Sequence, residues 1–313
     1  MRKVTLLLAL CLFSMIGFSQ SAKFRQVEVA NQFFKAYEEM DFDKMASYWD
    51  DSVVLKDYVV AELYKIPEQF KGRETVLKLW KQAFAKLPNY MKIDIHNQFE
   101  SGPYVVTNLS LESSSSQGDK TGITRGEMFT IFKFEGDKIV EHLDFGDYYT
   151  WGRQIESVFK GNHHVEYPEE ANIQIARDYM EAYSRLDVAK MKSFYADSVE
   201  FKDLTAKEAF KGNVFEFYGK DAVANFWQKN LADAKPGFTQ VLVEGAFFSG
   251  SFVMLNTRFS MVLPPSWTGG VQHVYVNIPI KTILQIKDGK IYRHYDFADY
   301  SLYQQQIALQ TKR

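Results

Sequence analysis

This chain contains one sequence unit twice. Residues Val29 to Asp57 recur at Ile175 to Asp203 without a gap, and 12 of the 29 aligned positions are identical. The ends of the two units match as well, because the stretch from His142 to Tyr148 returns at 294–300 with its histidine, both aspartates and its tyrosine kept. We therefore expect two copies of one domain, and the copied carboxylates and histidines indicate a pocket as well as a core.

The first residues have the composition of a secretory signal peptide. Arg2 and Lys3 precede an apolar run from Val4 to Phe18, and small and polar residues follow it. The run is short for a helix that spans a bilayer. We expect residues 1–20 to be removed, the mature chain to have no membrane span, and the protein to be secreted or periplasmic.

Composition excludes several classes of function. Cys11 is the only cysteine, so the mature chain is expected to have no disulfide and no thiolate metal site. Removal of residues 1–20 takes the formal net charge from −2 to −4, which does not favour a nucleic-acid partner. The chain is 46% hydrophobic and 16% aromatic, enough for two cores of about 140 residues each.

Each unit begins with helical patterns. Ala30, Phe33, Phe34 and Tyr37 fall at the spacing of one helix face, and a short second pattern follows. A strand-like run then ends at Asp57, and a third helix carries Trp80. In the second unit the corresponding acid and tryptophan are Asp203 and Trp227.

Strand patterns fill the rest of each unit. In the first unit they cover 93–100, 104–111, 126–134 and 138–145, and we expect a polar hairpin loop from Ser113 to Asp119. A polar stretch with Pro168 separates the units. We therefore expect a first domain over 21–160, a connection over 161–170 and a second domain over 171–313.

Four aspartates beside predicted helices are interpreted as caps. Asp41 and Asp187 follow the first helix of each unit, and Asp147 and Asp299 precede a terminal helix. An aspartate at such a position accepts hydrogen bonds from free backbone N–H groups. A structural role is the better interpretation of these four residues.

The order of these elements resembles the nuclear transport factor 2-like superfamily, and most closely its SnoaL-like branch. The resemblance lies in three helices before a sheet, an acid after the first strand, and Gly72 or Gly219 before the third helix. It covers nearly all of the mature chain, twice. It implies an α+β fold of two tandem cone-shaped domains, in each of which three helices pack on a strongly curved, mostly antiparallel sheet around a mostly apolar cavity. Ketosteroid isomerases, scytalone dehydratase and polyketide cyclases use such a cavity for catalysis, whereas other members only bind ligands.

The resemblance to ketosteroid isomerase implies roles for particular positions. The aspartate that moves the proton in that enzyme matches Asp57 and Asp203. The tyrosine that donates to the oxyanion matches Tyr179 in the second unit and Phe33 in the first. The second oxyanion donor is an acid in that enzyme, whereas here the matching residues are threonines, Thr130 and Thr282. Neither unit carries the full set of the isomerase, and the second unit is the better catalytic candidate.

The last predicted strand of each unit carries a histidine and, two residues later, an aspartate. These pairs are His142 with Asp144 and His294 with Asp296. Residues two apart on a strand point to the same face, and the resemblance implies that this face lines the cavity. Each cone would then hold two carboxylates and one imidazole, which suffice for general acid and base catalysis. The alternative for each pair is an ordinary hydrogen-bonded pair at the end of a strand.

Three functions are consistent with these patterns. In the first, a cofactor-free enzyme isomerises, cyclises or dehydrates a small hydrophobic molecule. Asp203, His294 and Asp296 move the proton, and Tyr179 polarises a carbonyl. In the second, the paired cones bind a hydrophobic ligand or a glycan fragment without chemistry. In the third, a sheet face or helix edge docks another protein, or one unit pairs with the other within the chain.

No cofactor or metal ion is expected. The chain has no Gly-x-Gly-x-x-Gly or Gly-x-x-x-x-Gly-Lys loop for a nucleotide, and no Gly-x-Ser-x-Gly nucleophile elbow. It also lacks a His-Glu-x-x-His motif for zinc.

Overall fold

A computed structural model describes residues 25–84, 90–117, 120–160 and 170–312 of the chain. The predicted signal peptide and nearly all of the predicted connection lie outside these residues. No helix within the described ranges is long and apolar enough to cross a membrane.

The first unit combines five helices with six strands. In chain order they are α1 (25–38), α2 (Phe42–Tyr48), β1 (Trp49–Asp57), α3 (Tyr58–Tyr64), β2 (Gln69–Lys71), α4 (Arg73–Phe84), β3 (Met91–Ser101), β4 (Tyr104–Gln117), β5 (Lys120–Glu135), β6 (Lys138–Gly146) and α5 (Tyr148–Lys160).

The second unit repeats this order. Its elements are α6 (Ala171–Ser184), α7 (Val188–Phe194), β7 (Tyr195–Asp203), α8 (Leu204–Ala209), β8 (Glu216–Tyr218), α9 (Lys220–Trp227), β9 (Phe238–Ser249), β10 (Phe252–Val262), β11 (Tyr275–Lys287), β12 (Lys290–Ala298) and α10 (Tyr300–Thr311). A single π-helical turn (Gln228–Ala232) extends α9.

The two sheets have the same topology. Their strand orders are β2-β1-β6-β5-β4-β3 and β8-β7-β12-β11-β10-β9. Among the described strands, β1 with β6 and β7 with β12 are the parallel pairs, and the other neighbouring strands are antiparallel. The prediction of two α+β domains with mostly antiparallel sheets is therefore confirmed.

Two local predictions differ from the structure. Strand β4 continues to Gln117 and β5 begins at Lys120, so the loop predicted over 113–119 was wrong for most of its length. The hydroxyls of Ser113 and Thr124 lie 3.3 Å apart across this extension, and such pairs stabilise neighbouring strands. The short helices α3 and α8 were not predicted, and each begins directly after the acid that ends β1 or β7.

The four predicted aspartate caps are confirmed. The carboxylates of Asp41 and Asp187 accept from the backbone N–H three residues on, at 3.0 and 2.9 Å. Asp147 and Asp299 do the same at the starts of the terminal helices, at 2.9 and 2.8 Å. These side chains fix helix ends and do not belong to the site described below.

Each unit has its own core, and a third apolar cluster lies between the two sheets. The alternation of side chains along a strand sends Leu143 and Phe145 of β6 into this cluster, where they meet residues such as Tyr295 and Phe297 of β12. Glu62 of α3 reaches across as well and accepts hydrogen bonds from the second unit. This arrangement agrees with the hypothesis that one unit packs on the other within the chain.

Candidate functional site

The strand register brings two carboxylates together in each unit. Asp57 pairs with Asp144 across the parallel contact of β1 with β6, and Asp203 pairs with Asp296 across β7 and β12. Asp57 and Asp203 end their strands because each also caps the helix that follows. Two acids that are far apart in sequence therefore share one end of each cone.

Both pairs line apolar cavities. The cavity of the second unit has a volume of about 1040 Å³ and includes Asp203 and Asp296 in its wall. That of the first unit has a volume of about 470 Å³ and includes Asp57 and Asp144. Aromatic rings dominate both walls. They include Tyr37, Phe70, Trp80, Phe84 and Trp151 in the first cavity and Tyr183, Phe201, Phe226, Trp227 and Phe259 in the second.

Three donors hold the carboxylate of Asp203. The hydroxyl of Tyr300 donates to Oδ2 at 2.6 Å, while the hydroxyl of Thr205 and the backbone N–H of Ala206 donate to Oδ1, both at 2.8 Å. In the first unit, Tyr148 and the N–H of Val60 donate to Asp57 at 2.5 and 2.8 Å.

Burial and a second acid raise the pKa of each of these aspartates. For Asp203 the pKa rises from 3.8 to about 7, chiefly because burial disfavours the charged form and secondly because Asp296 is close. The donated hydrogen bonds act in the opposite direction. Burial and Asp144 likewise raise the pKa of Asp57 to about 7. A carboxyl group with a pKa in this range can take up or release a proton near neutral pH.

The second acid of each pair is held by a threonine and lies beside a histidine. Thr282 donates to Oδ1 of Asp296 at 2.6 Å, and Nε2 of His294 lies 3.2 Å from Oδ2. In the first unit, Thr130 donates to Asp144 at 2.7 Å, and Nε2 of His142 lies 2.9 Å from its other oxygen. Both histidines are fully buried behind their acids and do not line the cavities.

Tyr179 also lies behind the cavity wall. Its hydroxyl contacts the hydroxyl of Tyr195 at 2.5 Å and Nδ1 of His294 at 3.4 Å. It is fully buried and is not among the residues that line the second cavity. The structure therefore brings Tyr179 together with His294, and not with the space that a ligand would occupy.

The tyrosine that faces each cavity comes one helical turn later, as Tyr37 in α1 and Tyr183 in α6. Their hydroxyls make no hydrogen bond within the described residues. Burial and the two nearby carboxylates raise the pKa of each phenol far above 10, so the hydroxyls stay protonated as donors. The sequence analysis missed them although the tyrosine is identical in both repeats, which was an available signal.

Tyr148 and Tyr300 were missed as well. They follow the cap residues Asp147 and Asp299 and return together with them in the repeated C-terminal stretch. That recurrence was visible in the sequence. Their contact with Asp57 and Asp203 was not, because it depends on how the terminal helix folds back over the sheet.

Within the described parts of the chain, no group of three or more histidine, cysteine, aspartate or glutamate side chains is placed to hold a metal ion. The arrangement in each unit is an apolar cavity with a carboxylate pair and a tyrosine hydroxyl at its inner end. Such a site can bind a small apolar molecule and exchange a proton with it.

The fold and the site define a tandem α+β protein in which each unit has a ligand-sized cavity lined by aromatic rings and a carboxylate pair. The family model of the SnoaL-like domain matches residues 30–142 and 176–294. The chain belongs to this family, with two copies of the domain. No curated protein matches the chain in sequence.

Several solved structures are similar to parts of this chain. A putative SnoaL-like polyketide cyclase from Shewanella putrefaciens CN-32 is 24% identical with a TM-score of 0.40, and the match covers 46% of this chain and 100% of that one. A putative SnoaL-like polyketide cyclase from Shewanella denitrificans OS-217 is 19% identical with a TM-score of 0.37, covering 42% and 97%. TerC, co-crystallised with polyporic acid, is 16% identical with a TM-score of 0.37, covering 42% and 99%.

Proposed function

We propose that this protein binds small apolar molecules in its cones and transfers protons on them without a cofactor, in an isomerisation, cyclisation or dehydration. The observation that carries the proposal is Asp203, an aspartate with a pKa of about 7 at the inner end of an aromatic cavity. Beside it, Tyr183 has a hydroxyl free to donate to a ligand.

Each residue has a separate part in this chemistry. The aromatic wall holds the apolar body of the ligand, and Tyr183 donates to a carbonyl oxygen. Asp203 takes a proton from the carbon next to that carbonyl, and the electron pair of the C–H bond moves toward the oxygen. Return of the proton to a different carbon completes an isomerisation. Tyr300 and Thr205 hold the carboxylate in place throughout.

A thermal-shift screen with the mature chain identifies the ligand class. Lipophilic carbonyl compounds, polyketide-like aromatics and short sugars are compared, since a ligand at ~100 times its Kd adds about 2.7 kcal/mol of stability. Compounds that bind are then assayed for turnover with the parent protein and with Asp203→Asn. We expect this variant to bind the ligand and to lose turnover.

Asp187→Asn is the matched control. Asp187 is also an aspartate that caps a helix, but it lies on the surface and away from the cavity. Turnover should be the same in this control as in the parent. Turnover that survives Asp203→Asn would remove Asp203 from the mechanism.

A second candidate function is ligand binding without chemistry, and the abundance of rings around both cavities favours it. Asp203→Asn then changes affinity only modestly, whereas shrinking Trp227, which lines the second cavity, weakens binding strongly. If compounds bind but none is turned over, and if the Trp227 variant loses more affinity than Asp203→Asn, ligand binding without chemistry is the function.

We propose in addition that the protein acts outside the cytoplasm, on the basis of residues 1–20. Mass spectrometry of the protein purified from its own cells tests this, because removal of the signal peptide leaves a chain that begins near Ser21. An intact Met1 terminus would contradict it.

A further inference from the structure

The buried histidine of the second unit belongs to a chain of hydrogen bonds. The hydroxyl of Tyr195 lies 2.9 Å from Nδ1 of His294, and the hydroxyl of Tyr179 lies 2.5 Å from that of Tyr195. Trp227 donates to the hydroxyl of Tyr195 at 3.2 Å. On the other side of the imidazole, Nε2 lies 3.2 Å from Asp296. The hydrogen bonds therefore run from α6 to Nδ1 of His294. Nε2 makes no hydrogen bond within the described residues, but it lies close to an acid of the cavity wall.

The described residues of the first unit do not form this chain of hydrogen bonds. Phe33 stands at the position of Tyr179, and Trp49 stands at the position of Tyr195. Nδ1 of His142 is buried and has no hydrogen-bond partner in the described part of the protein. Apolar rings surround it instead, with those of Phe33 and Phe132 centred 5.5 and 4.8 Å from the imidazole.

This difference affects which ring nitrogen of each histidine can carry a proton. A tyrosine hydroxyl both donates and accepts, so Tyr195 can donate to a bare Nδ1 or accept from a protonated one. The groups that face His294 are Asp296 on β12, Tyr195 on β7 and Tyr179 on α6. In the first unit, a proton on Nδ1 of His142 would be a buried donor without an acceptor, which is a costly state. The arrangement around His142 therefore favours a proton on Nε2, facing Asp144, over one on Nδ1.

The two cavities also differ in what they can hold. The first has less than half the volume of the second, and its only charged lining residues within the described part are Asp57 and Asp144. The second also has Lys229 in its wall. An anion is unsuited to the first cavity, whereas a small neutral aromatic molecule with a hydroxyl or N–H group fits its rings and can donate to its acids.

We propose that the two units have divided roles. The second cavity exchanges protons with its ligand, and Tyr195 is a positioning residue that holds His294, and through it Asp296, in the reactive arrangement. The first cavity binds a smaller neutral aromatic ligand and does not turn it over. This inference rests on the proposed function, but its structural part can be tested without a substrate.

Nuclear magnetic resonance of the full mature chain, with ¹⁵N-labelled histidine, tests that structural part. Correlations between ring nitrogens and carbon-bound protons report which nitrogen carries the proton and whether the bare nitrogen accepts a hydrogen bond. At pH 7 we expect the Nδ1 signal of His294 to show an accepted hydrogen bond and that of His142 to show none. Tyr195→Phe should shift the His294 signal and leave the His142 signal in place, while Trp49→Phe should leave the His294 signal in place. Identical Nδ1 signals for both histidines, or no response to Tyr195→Phe, would overturn the inference.

Kinetics test the division of roles with the same two variants. Tyr195→Phe should lower kcat at least tenfold at nearly constant KM, because Tyr195 acts through His294 and does not touch the ligand. Trp49→Phe, the matched change in the first unit, should leave kcat unchanged. Equal losses in the two variants would contradict divided roles. If no compound is turned over, the proposed catalytic function fails and the division of roles fails with it, while the resonance experiment still decides whether the histidines differ.

Discussion

The hydroxyl of Tyr300 lies 2.6 Å from Oδ2 of Asp203 and donates a hydrogen bond to it. Tyr300 is the first residue of the terminal helix α10, and Asp203 is the last residue of strand β7. The terminal helix thereby closes over the end of the sheet and supplies a donor to the acid. A donor to the charged form lowers the pKa of a carboxyl group, so the pKa of about 7 is a balance between this bond and burial.

Removal of the Tyr300 hydroxyl should raise the pKa of Asp203 further. A hydrogen bond to a charged group contributes about 1.5 to 3 kcal/mol, so Tyr300→Phe should raise the pKa by about one to two units. The carboxyl ¹³C chemical shift of Asp203, followed from pH 5 to pH 10, measures this change.

Tyr303→Phe is the control for that experiment. Tyr303 lines the same cavity and forms no hydrogen bond with either acid. Loss of the Tyr303 hydroxyl should leave the pKa of Asp203 at its value in the parent. An equal shift in both variants would mean that the hydroxyl of Tyr300 has no specific effect.

The buried carboxyl of Asp203 should also make stability depend on pH. Its pKa is about 7 in the folded state, above its ordinary value of 3.8. Between these values the folded chain binds more protons than the unfolded chain, so the free energy of unfolding falls as pH rises from about 4 to about 7. The loss amounts to at most about 4 kcal/mol and is complete above pH 7.

Asp203→Asn should remove this dependence. Asparagine also caps helices but carries no charge, so we expect the variant to be more stable than the parent at pH 8 and about equally stable at pH 4.5. Urea unfolding of the full mature chain at the two pH values measures the difference. Asp187→Asn, at an exposed cap, should show the same difference from the parent at both pH values. A pH-independent effect of Asp203→Asn would show that burial does not raise the pKa of this acid.

The repeat predicted two copies of one domain, and the resemblance of the element order to the SnoaL-like branch implied the fold class. The alternation of side chains placed His142 with Asp144, and His294 with Asp296, on one face, and the resemblance implied that this face lines the cavity. The sequence could not predict the pairing of Asp57 with Asp144, because parallel contact of the first and last long strands depends on the closure of the whole sheet. For the same reason it did not separate Tyr183, in the cavity wall, from Tyr179 one helical turn behind it. Both tyrosines lie on the apolar face of one helix, and only the position of the sheet decides which of them meets the cavity.

Contact between the two units should depend on Glu62. Its carboxylate accepts from the N–H and the hydroxyl of Ser251 at 2.8 and 2.7 Å and from Gln285 at 2.7 Å, and Lys287 lies 3.0 Å away. Because several of these bonds reach one half-buried charge, Glu62→Ala should cost about 2 to 3 kcal/mol. We expect calorimetry to resolve separate unfolding transitions for the two units in this variant.

Glu181→Ala is the matched control for Glu62. Glu181 forms an exposed ion pair with Arg185, the residue directly after helix α6, and such a pair contributes little, about 0.5 kcal/mol or less. The Glu181→Ala variant should therefore have nearly the same unfolding profile as the parent. If Glu62→Ala also has the unfolding profile of the parent, the apolar cluster alone joins the two units.

Of the two tyrosines of helix α6, we expect Tyr183 and not Tyr179 to donate a hydrogen bond to a ligand. Tyr183 faces the second cavity, whereas the hydroxyl of Tyr179 is engaged by Tyr195 behind the cavity wall. For a carbonyl compound that is turned over, Tyr183→Phe removes a donor to the developing charge and should lower kcat by about 10² to 10³. Tyr179→Phe leaves the contact between Tyr195 and His294 in place and should have a much smaller effect. Steady-state kinetics of both variants with one substrate measures the contrast. A larger loss in Tyr179→Phe would instead support the role that the sequence resemblance implied for Tyr179, and would require the residues between Tyr179 and the cavity to move aside during the reaction.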